Sequence, residues 1–123
     1  MVRMENTFTI QQISKHTGLS SHTLRYYEKI GLLQAVRRDC NGYREYTESD
    51  IDWIHFLNRL KETGMKISDM KRFSDLRYQG ETTIGTRRLL LEVHRNSLLK
   101  QIESLKNHLN RIDEKIEYYK GKE

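Results

Sequence analysis

Proline is absent from this chain of 123 residues, and cysteine occurs once, at Cys40. Without proline, no ring constraint or missing backbone donor interrupts a helix anywhere along it. One cysteine excludes an intramolecular disulfide, supplies no multi-thiol zinc site and fits a reducing compartment. Long apolar runs are missing too: the most notable is Leu89-Leu90-Leu91, far short of the roughly 20 residues that cross a bilayer. Met1 to Gln12 contains no apolar h-region, which argues against a secretory leader. A cytoplasmic location without membrane contact is therefore expected.

Catalytic hardware is equally scarce. The segment Gly80-Glu81-Thr82-Thr83-Ile84-Gly85-Thr86-Arg87 has the glycine spacing of a phosphate loop but lacks its Lys-Ser/Thr pair and a preceding strand. His16, His22, His55, His94 and His108 form no i,i+4 pair and no cluster with carboxylates. No catalytic residue, metal site or cofactor is expected, and the chain does not read as an enzyme.

What is present is polar: 36% apolar residues against 32% charged. So small and polar a chain buries a modest core, and a partner subunit is expected. The net charge is +5. Residues 1–47 carry seven Lys/Arg against four Asp/Glu, residues 48–80 six of each, and residues 81–123 nine against seven. A positive N-terminal third suits a polyanion.

Glycines supply the punctuation, with Gly80 and Gly85 expected ahead of the long C-terminal helix. Thr9 followed by Gln12 matches a capping box, and a helix from there to about Thr17 meets Gly18 as its left-handed cap. Ser20 caps a second helix, Ser21 to Ile30, closed by Gly31. Two short helices on a tight turn form a helix-turn-helix pattern. Leu32 to Val36 and Arg44 to Tyr46 then read as strands. The Asn41-Gly42 turn between them, where both residues tolerate positive φ, makes a basic hairpin, or wing. Arg37, Arg38 and Arg44 are candidates for phosphate contacts, with Tyr43 and Tyr46 adding hydroxyls.

The runs Leu24-Arg25-Tyr26-Tyr27-Glu28-Lys29-Ile30-Gly31-Leu32-Leu33 and Asn41-Gly42-Tyr43-Arg44-Glu45-Tyr46, followed by Asp50-Ile51, resemble the DNA-binding domain of the MerR family of bacterial transcription regulators. The likeness is dense over about residues 7–78. It implies a winged helix-turn-helix, a second helical pair and an antiparallel coiled-coil dimer. The C-terminal region is most similar to a short subgroup that includes aldehyde- and thiol-responsive members. Their sensing cysteine falls where this chain has Arg59, so that chemistry does not transfer. Cys40 reads as an ordinary wing residue, although Arg37 and Arg38 beside it favour a thiolate.

The second helical pair is visible without the resemblance. Thr47 caps a helix with Glu48 and Asp50 in its first turn, where acidic groups suit the dipole. Trp53, Phe56, Leu57 and Leu60 share one face, and Gly64 ends the helix; Ile67, Met70 and Phe73 mark the next, to about Tyr78. The aromatic stripe reads as packing. The resemblance adds that Phe73, Leu76 and Tyr78 border an effector site.

The C-terminal third has the sharpest periodicity. Leu91, Leu98, Leu105, Ile112 and Tyr119 recur every seven residues, with Ile102, Leu109 and Ile116 interleaved. That is an a/d seam of a coiled coil, along a helix of about 43 Å, and one such helix per chain pairs most simply with a second copy.

The expected fold class is mainly α: a winged helix-turn-helix domain with a second helical pair over 1–79, then a linker and coiled-coil dimerisation helix over 80–123. The expected function is that of a homodimeric, sequence-specific regulator of double-stranded promoter DNA. By resemblance, Ser21, His22, Thr23 and Arg25 face the major groove, with Arg25 reading guanine. One of Tyr26 and Tyr27 contacts DNA while the other packs. Arg44, Tyr43, Tyr46 and Lys66 hold the backbone. The family mechanism distorts a promoter spacer, engages RNA polymerase indirectly and answers a small-molecule effector held within the dimer, since no separate sensor domain is expected before the chain ends at Glu123. The rival is a coiled-coil adaptor with only non-specific nucleic-acid affinity, which leaves the Arg-Tyr-Tyr-Glu helix and the wing unexplained.

Overall fold

A computed structural model describes residues 6–123; residues 1–5 of the expected DNA-binding domain and N-terminus lie outside them. The elements are α1 (Ile10–Thr17), α2 (Ser21–Ile30), β1 (Arg37–Arg38), β2 (Arg44–Glu45), α3 (Glu48–Glu62), α4 (Ile67–Gln79), a 3-10 turn (Glu81–Thr83) and α5 (Ile84–Lys120). They fall into two compact units, residues 1–87 and 88–123.

Local chemistry explains the helix ends. Thr9 and Gln12 satisfy each other's backbone N–H at 3.2 and 2.8 Å, and Thr47 and Asp50 do the same at 3.2 and 2.9 Å. Ser20 accepts from the Thr23 amide at 3.1 Å. Gly18 and Gly31 close α1 and α2 with φ of 73° and 88°, values that cost a side-chain-bearing residue about 1–2 kcal/mol.

In the first unit, α1 packs on α2 and α3, and α3 on α4. Ile13, Leu24, Leu32, Ile54, Leu57 and Met70 are fully buried between them. Trp53, Phe56 and Phe73 form one aromatic cluster with ring centroids 5.5–5.8 Å apart, and the Arg77 guanidinium lies 4.4 Å from the Trp53 ring. Packing, as the sequence suggests, is what the stripe does.

Three local expectations are corrected. The stretch Leu32 to Val36 is not a strand; the first strand is Arg37–Arg38, paired antiparallel with Arg44–Glu45 in the register Arg37↔Glu45 and Arg38↔Arg44. Leu32 and Leu33 instead turn their amides back onto the Tyr27 carbonyl at 2.9 and 3.1 Å, and Ala35 adopts φ of 57°, which no strand tolerates. In the hairpin loop Gly42 has positive φ and Asn41 does not. The Gly42 amide bonds the Asp39 carbonyl at 3.0 Å, a three-residue loop closed by a left-handed glycine. Gly85 does not precede the last helix but lies inside it, because α5 already begins at Ile84.

The second unit is the rest of α5. The whole helix has 37 residues, none of them buried. No helix among the described residues is long and apolar enough to cross a membrane.

Candidate nucleic-acid interface

The outer face of α2 carries His22, Arg25, Tyr26 and Lys29 at spacings of three, one and three, all exposed. Ser21 and Thr23 are half-buried, and the Thr23 hydroxyl already accepts from Ser20 at 3.0 Å. Neighbouring tyrosines divide as helical periodicity requires: Tyr26 is 46% exposed and Tyr27 2%. Tyr26 is therefore the one available to a ligand, and Tyr27 is the one that packs.

The chain leaving α2 is held by four side chains of α3 and α4. Trp53 Nε1 donates to the Leu32 carbonyl at 2.9 Å, and the Ser74 hydroxyl reaches the carbonyls of Gly31 and Leu32, both at 3.0 Å. Tyr78 brackets Gln34: its hydroxyl donates to the Gln34 carbonyl at 2.6 Å and accepts the Gln34 amide at 3.2 Å. Gln34 Nε2 donates to Asp75 at 2.8 Å. Indole, hydroxyl and phenol thus satisfy backbone groups that no strand supplies. Phe73 and Tyr78, expected beside an effector site, are occupied by the aromatic cluster and by Gln34.

The wing is stiffened from within by Asp39. Its carboxylate accepts the amides of Asn41 and Tyr43 at 2.8 and 3.0 Å, and its amide bonds the Tyr43 carbonyl at 2.8 Å. Arg38 donates to the Gly42 carbonyl at 3.0 Å. Arg37, Arg38 and Tyr43 are exposed, Tyr43 at 71%, whereas Arg44 is half-buried and bonded through Nε to Glu28 of α2. At the base of the wing, Phe8 and Tyr46 exchange both backbone hydrogen bonds, at 2.8 and 2.9 Å, so the segment before α1 extends the hairpin by one bridge.

Tyr46 is the correction among the proposed contacts. It is completely buried, so its hydroxyl is not offered to a phosphate. The hydroxyls of Tyr27 and Tyr46 are both buried without a hydrogen-bond partner among the described residues. Burial pushes the Tyr46 phenol above its ordinary pKa; Glu28 and Asp50 add to that shift, and Arg44 and Arg25 oppose it.

A groove of about 540 Å³ runs between the start of α1, α2 and the wing, with Thr9, Gln11, Arg25, Arg38, Tyr43 and Arg44 on its walls. Three arginines against the carboxylates of Asp39 and Glu45 leave the groove with a net positive charge, which suits an anion. Lys66 stands exposed at the start of α4 and is not among the groove residues. Among the described residues no group of His, Cys, Asp and Glu could hold a metal ion. Cys40 is exposed on the hairpin loop.

On α5, Ile102, Leu105, Leu109, Ile112, Ile116 and Tyr119 are 46–67% exposed, while Leu91 and Leu98 are half-buried. Sequence reasoning missed three features: Glu28 as the acceptor for the wing, the Phe8–Tyr46 bridge, and the clamp on Gln34. Each depends on a partner far along the chain, and no local pattern signals it.

Comparison with known proteins agrees with this geometry. The family of MerR HTH family regulatory proteins matches residues 8–76. An HTH-type transcriptional regulator of Haemophilus influenzae is 38% identical over 113 residues, covering 92% of this chain and 84% of that protein. The transcriptional regulator AdhR of Bacillus subtilis is 36% identical over 91 residues, or 74% of this chain and 65% of AdhR. Among solved structures, HiNmlR, a MerR family regulator lacking the sensor domain and bound to promoter DNA, is similar with a TM-score of 0.84 at 37% identity. That match covers 94% of this chain and 91% of HiNmlR. A MerR family regulator from Bacillus thuringiensis has a TM-score of 0.78 at 32% identity, over 90% and 97% of the two chains.

Proposed function

This chain belongs to the MerR family of helix-turn-helix transcription regulators, and from that premise we propose that it works as a homodimer that recognises and distorts promoter DNA. The observation that carries the reading is a shared basic groove: Arg25 of α2 lines it together with Arg38, Tyr43 and Arg44 of the wing, while His22 and Tyr26 are exposed on the same helix and Arg37 on the same hairpin. In this reading α2 enters the major groove, where Arg25 has the fork geometry to read guanine O6 and N7. Wing residues and Lys66 meet the phosphates, positioning the chain without reading sequence.

Dimerisation is supported by the apolar stripe of α5. A helix with so many exposed Leu and Ile side chains at seven-residue spacing leaves its seam in water unless a second copy covers it. Two copies of one helix face make a self-complementary, two-fold interface, which a palindromic site would mirror. Bending or untwisting DNA between the half-sites has a sequence-dependent cost, so part of the specificity is indirect. An effector that alters the promoter must bind two dimer geometries unequally, since equal affinity shifts nothing. Engagement of RNA polymerase then follows from the altered DNA rather than from direct contact.

The test is selection of bound duplexes from a random pool, followed by titration of the enriched duplex at two salt concentrations. A palindromic preference with a salt slope near 0.9 per neutralised phosphate is expected. Equal affinity for enriched and scrambled duplexes would instead support the coiled-coil adaptor with only non-specific affinity.

A further inference from the structure

Glu28 is an unusual residue on a surface that meets a polyanion. It lies on α2 three residues after Arg25, and its negative charge lowers the potential that attracts phosphate. Its partners are on the wing: Oε2 accepts from Arg44 Nε, sixteen residues away, and Oε1 lies 3.7 Å from Arg38. The Glu28 and Arg44 side chains are 25% and 23% exposed, so most of the pair is withdrawn from solvent. That separates it from the Arg88–Glu92 pair of α5, at 63% and 51%, the exposed kind that contributes little. Arg38 is held at a second point by the Gly42 carbonyl, and Arg25, Arg38 and Arg44 line one groove.

We propose that Glu28 is a positioning residue for sequence recognition: by clamping Arg44 and Arg38 against α2, it fixes the wing relative to the base-reading face. This rests on the DNA-binding reading above. Removing the carboxylate acts in two opposite directions. As a charge, its loss strengthens binding to every duplex alike. As a strut, its loss lets wing and helix meet the duplex independently, which weakens binding to the preferred sequence alone. The ratio of affinities for preferred and scrambled duplexes separates the two.

The enriched duplex and a scrambled duplex of equal length are titrated with the wild-type chain, Glu28→Gln and Glu45→Gln. Glu45 borders the same groove, so its substitution is the matched change of charge. The ratio should fall about tenfold in Glu28→Gln and hold in Glu45→Gln. Arg44→Gln added to Glu28→Gln should lower it no further. An unchanged ratio in Glu28→Gln, or additive losses in the double variant, overturns the proposal. Should Glu28→Gln fail to fold, the exchanged pair Glu28→Arg with Arg44→Glu decides: a recovered ratio supports the clamp, and an unrecovered one overturns it. A wild-type chain that prefers neither duplex would sink the DNA-binding reading, and this inference with it, before any substitution is compared.

Discussion

The two units solve the problem of a small core in opposite ways. Residues 6–87 close on themselves: Leu24, Ile54 and Leu57 are fully buried, and the path after α2 is hydrogen-bonded by Trp53, Ser74 and Tyr78. Residues 88–120 continue a single helix in which no side chain is buried and most of the apolar ones remain in water. Both segments are amphipathic, yet the first contains the partner for its apolar face and the second does not. Periodicity therefore says that a face must be covered; only the packing says whether the same chain covers it.

The contrast is most exposed at Leu105, 67% exposed in the middle of the seam. Leu105→Asp should abolish the proposed dimer, because a charge in a paired seam would be desolvated without a counter-ion. Light scattering should then give the monomer mass while circular dichroism of the first unit persists. A wild-type mass would mean that this stripe is not the contact.

Trp53→Ala addresses the self-contained unit. It removes a nearly buried indole, its stacking on Phe73 and the bond to the Leu32 carbonyl, and should cost about 3–5 kcal/mol in chemical denaturation. A loss below about 1 kcal/mol would mean that the post-helix path is not held by α3.

Arg25→Ala leaves both units folded and tests the outer face. It should weaken binding to the best duplex by roughly 1–3 kcal/mol and relax preference at one base position. A uniform loss across all sequences would make Arg25 a phosphate contact instead.

The smallest effect concerns Tyr46. Its phenol is raised above its ordinary pKa by burial, so the folded state holds that proton more tightly than the unfolded chain. The corresponding stability is complete below the ordinary tyrosine range and is lost as pH climbs through the raised value. Tyr46→Phe should therefore flatten the alkaline limb of a denaturation profile. At neutral pH it should cost little, since the hydroxyl it removes has no partner among the described residues. A steep neutral-pH loss would indicate a bond to that hydroxyl.

Much of the fold was legible because its signals are short-range. Thr9 with Gln12, Ser20 with Thr23 and Thr47 with Asp50 find their partners three residues away, so helix starts can be read residue by residue. Gly18 and Gly31 mark the stops by the same local logic. The outer face of α2 was legible in part: its residues could be named, but not which tyrosine turned inward.

The sequence by itself determined the helices, their caps, that a hairpin follows α2, and the seven-residue stripe, since each is specified by residues within one or two turns of one another. The tertiary structure alone decided that Tyr27 and Tyr46 are buried while Tyr26 and Tyr43 are exposed. It alone turned Leu32 and Leu33 inward instead of along a strand, and joined Glu28 to Arg44. The physical reason is sequence distance. Trp53 lies 21 residues from Leu32, Ser74 lies 42 from it, and Glu28 lies 16 from Arg44, so these choices are made by groups that meet only once the chain has packed.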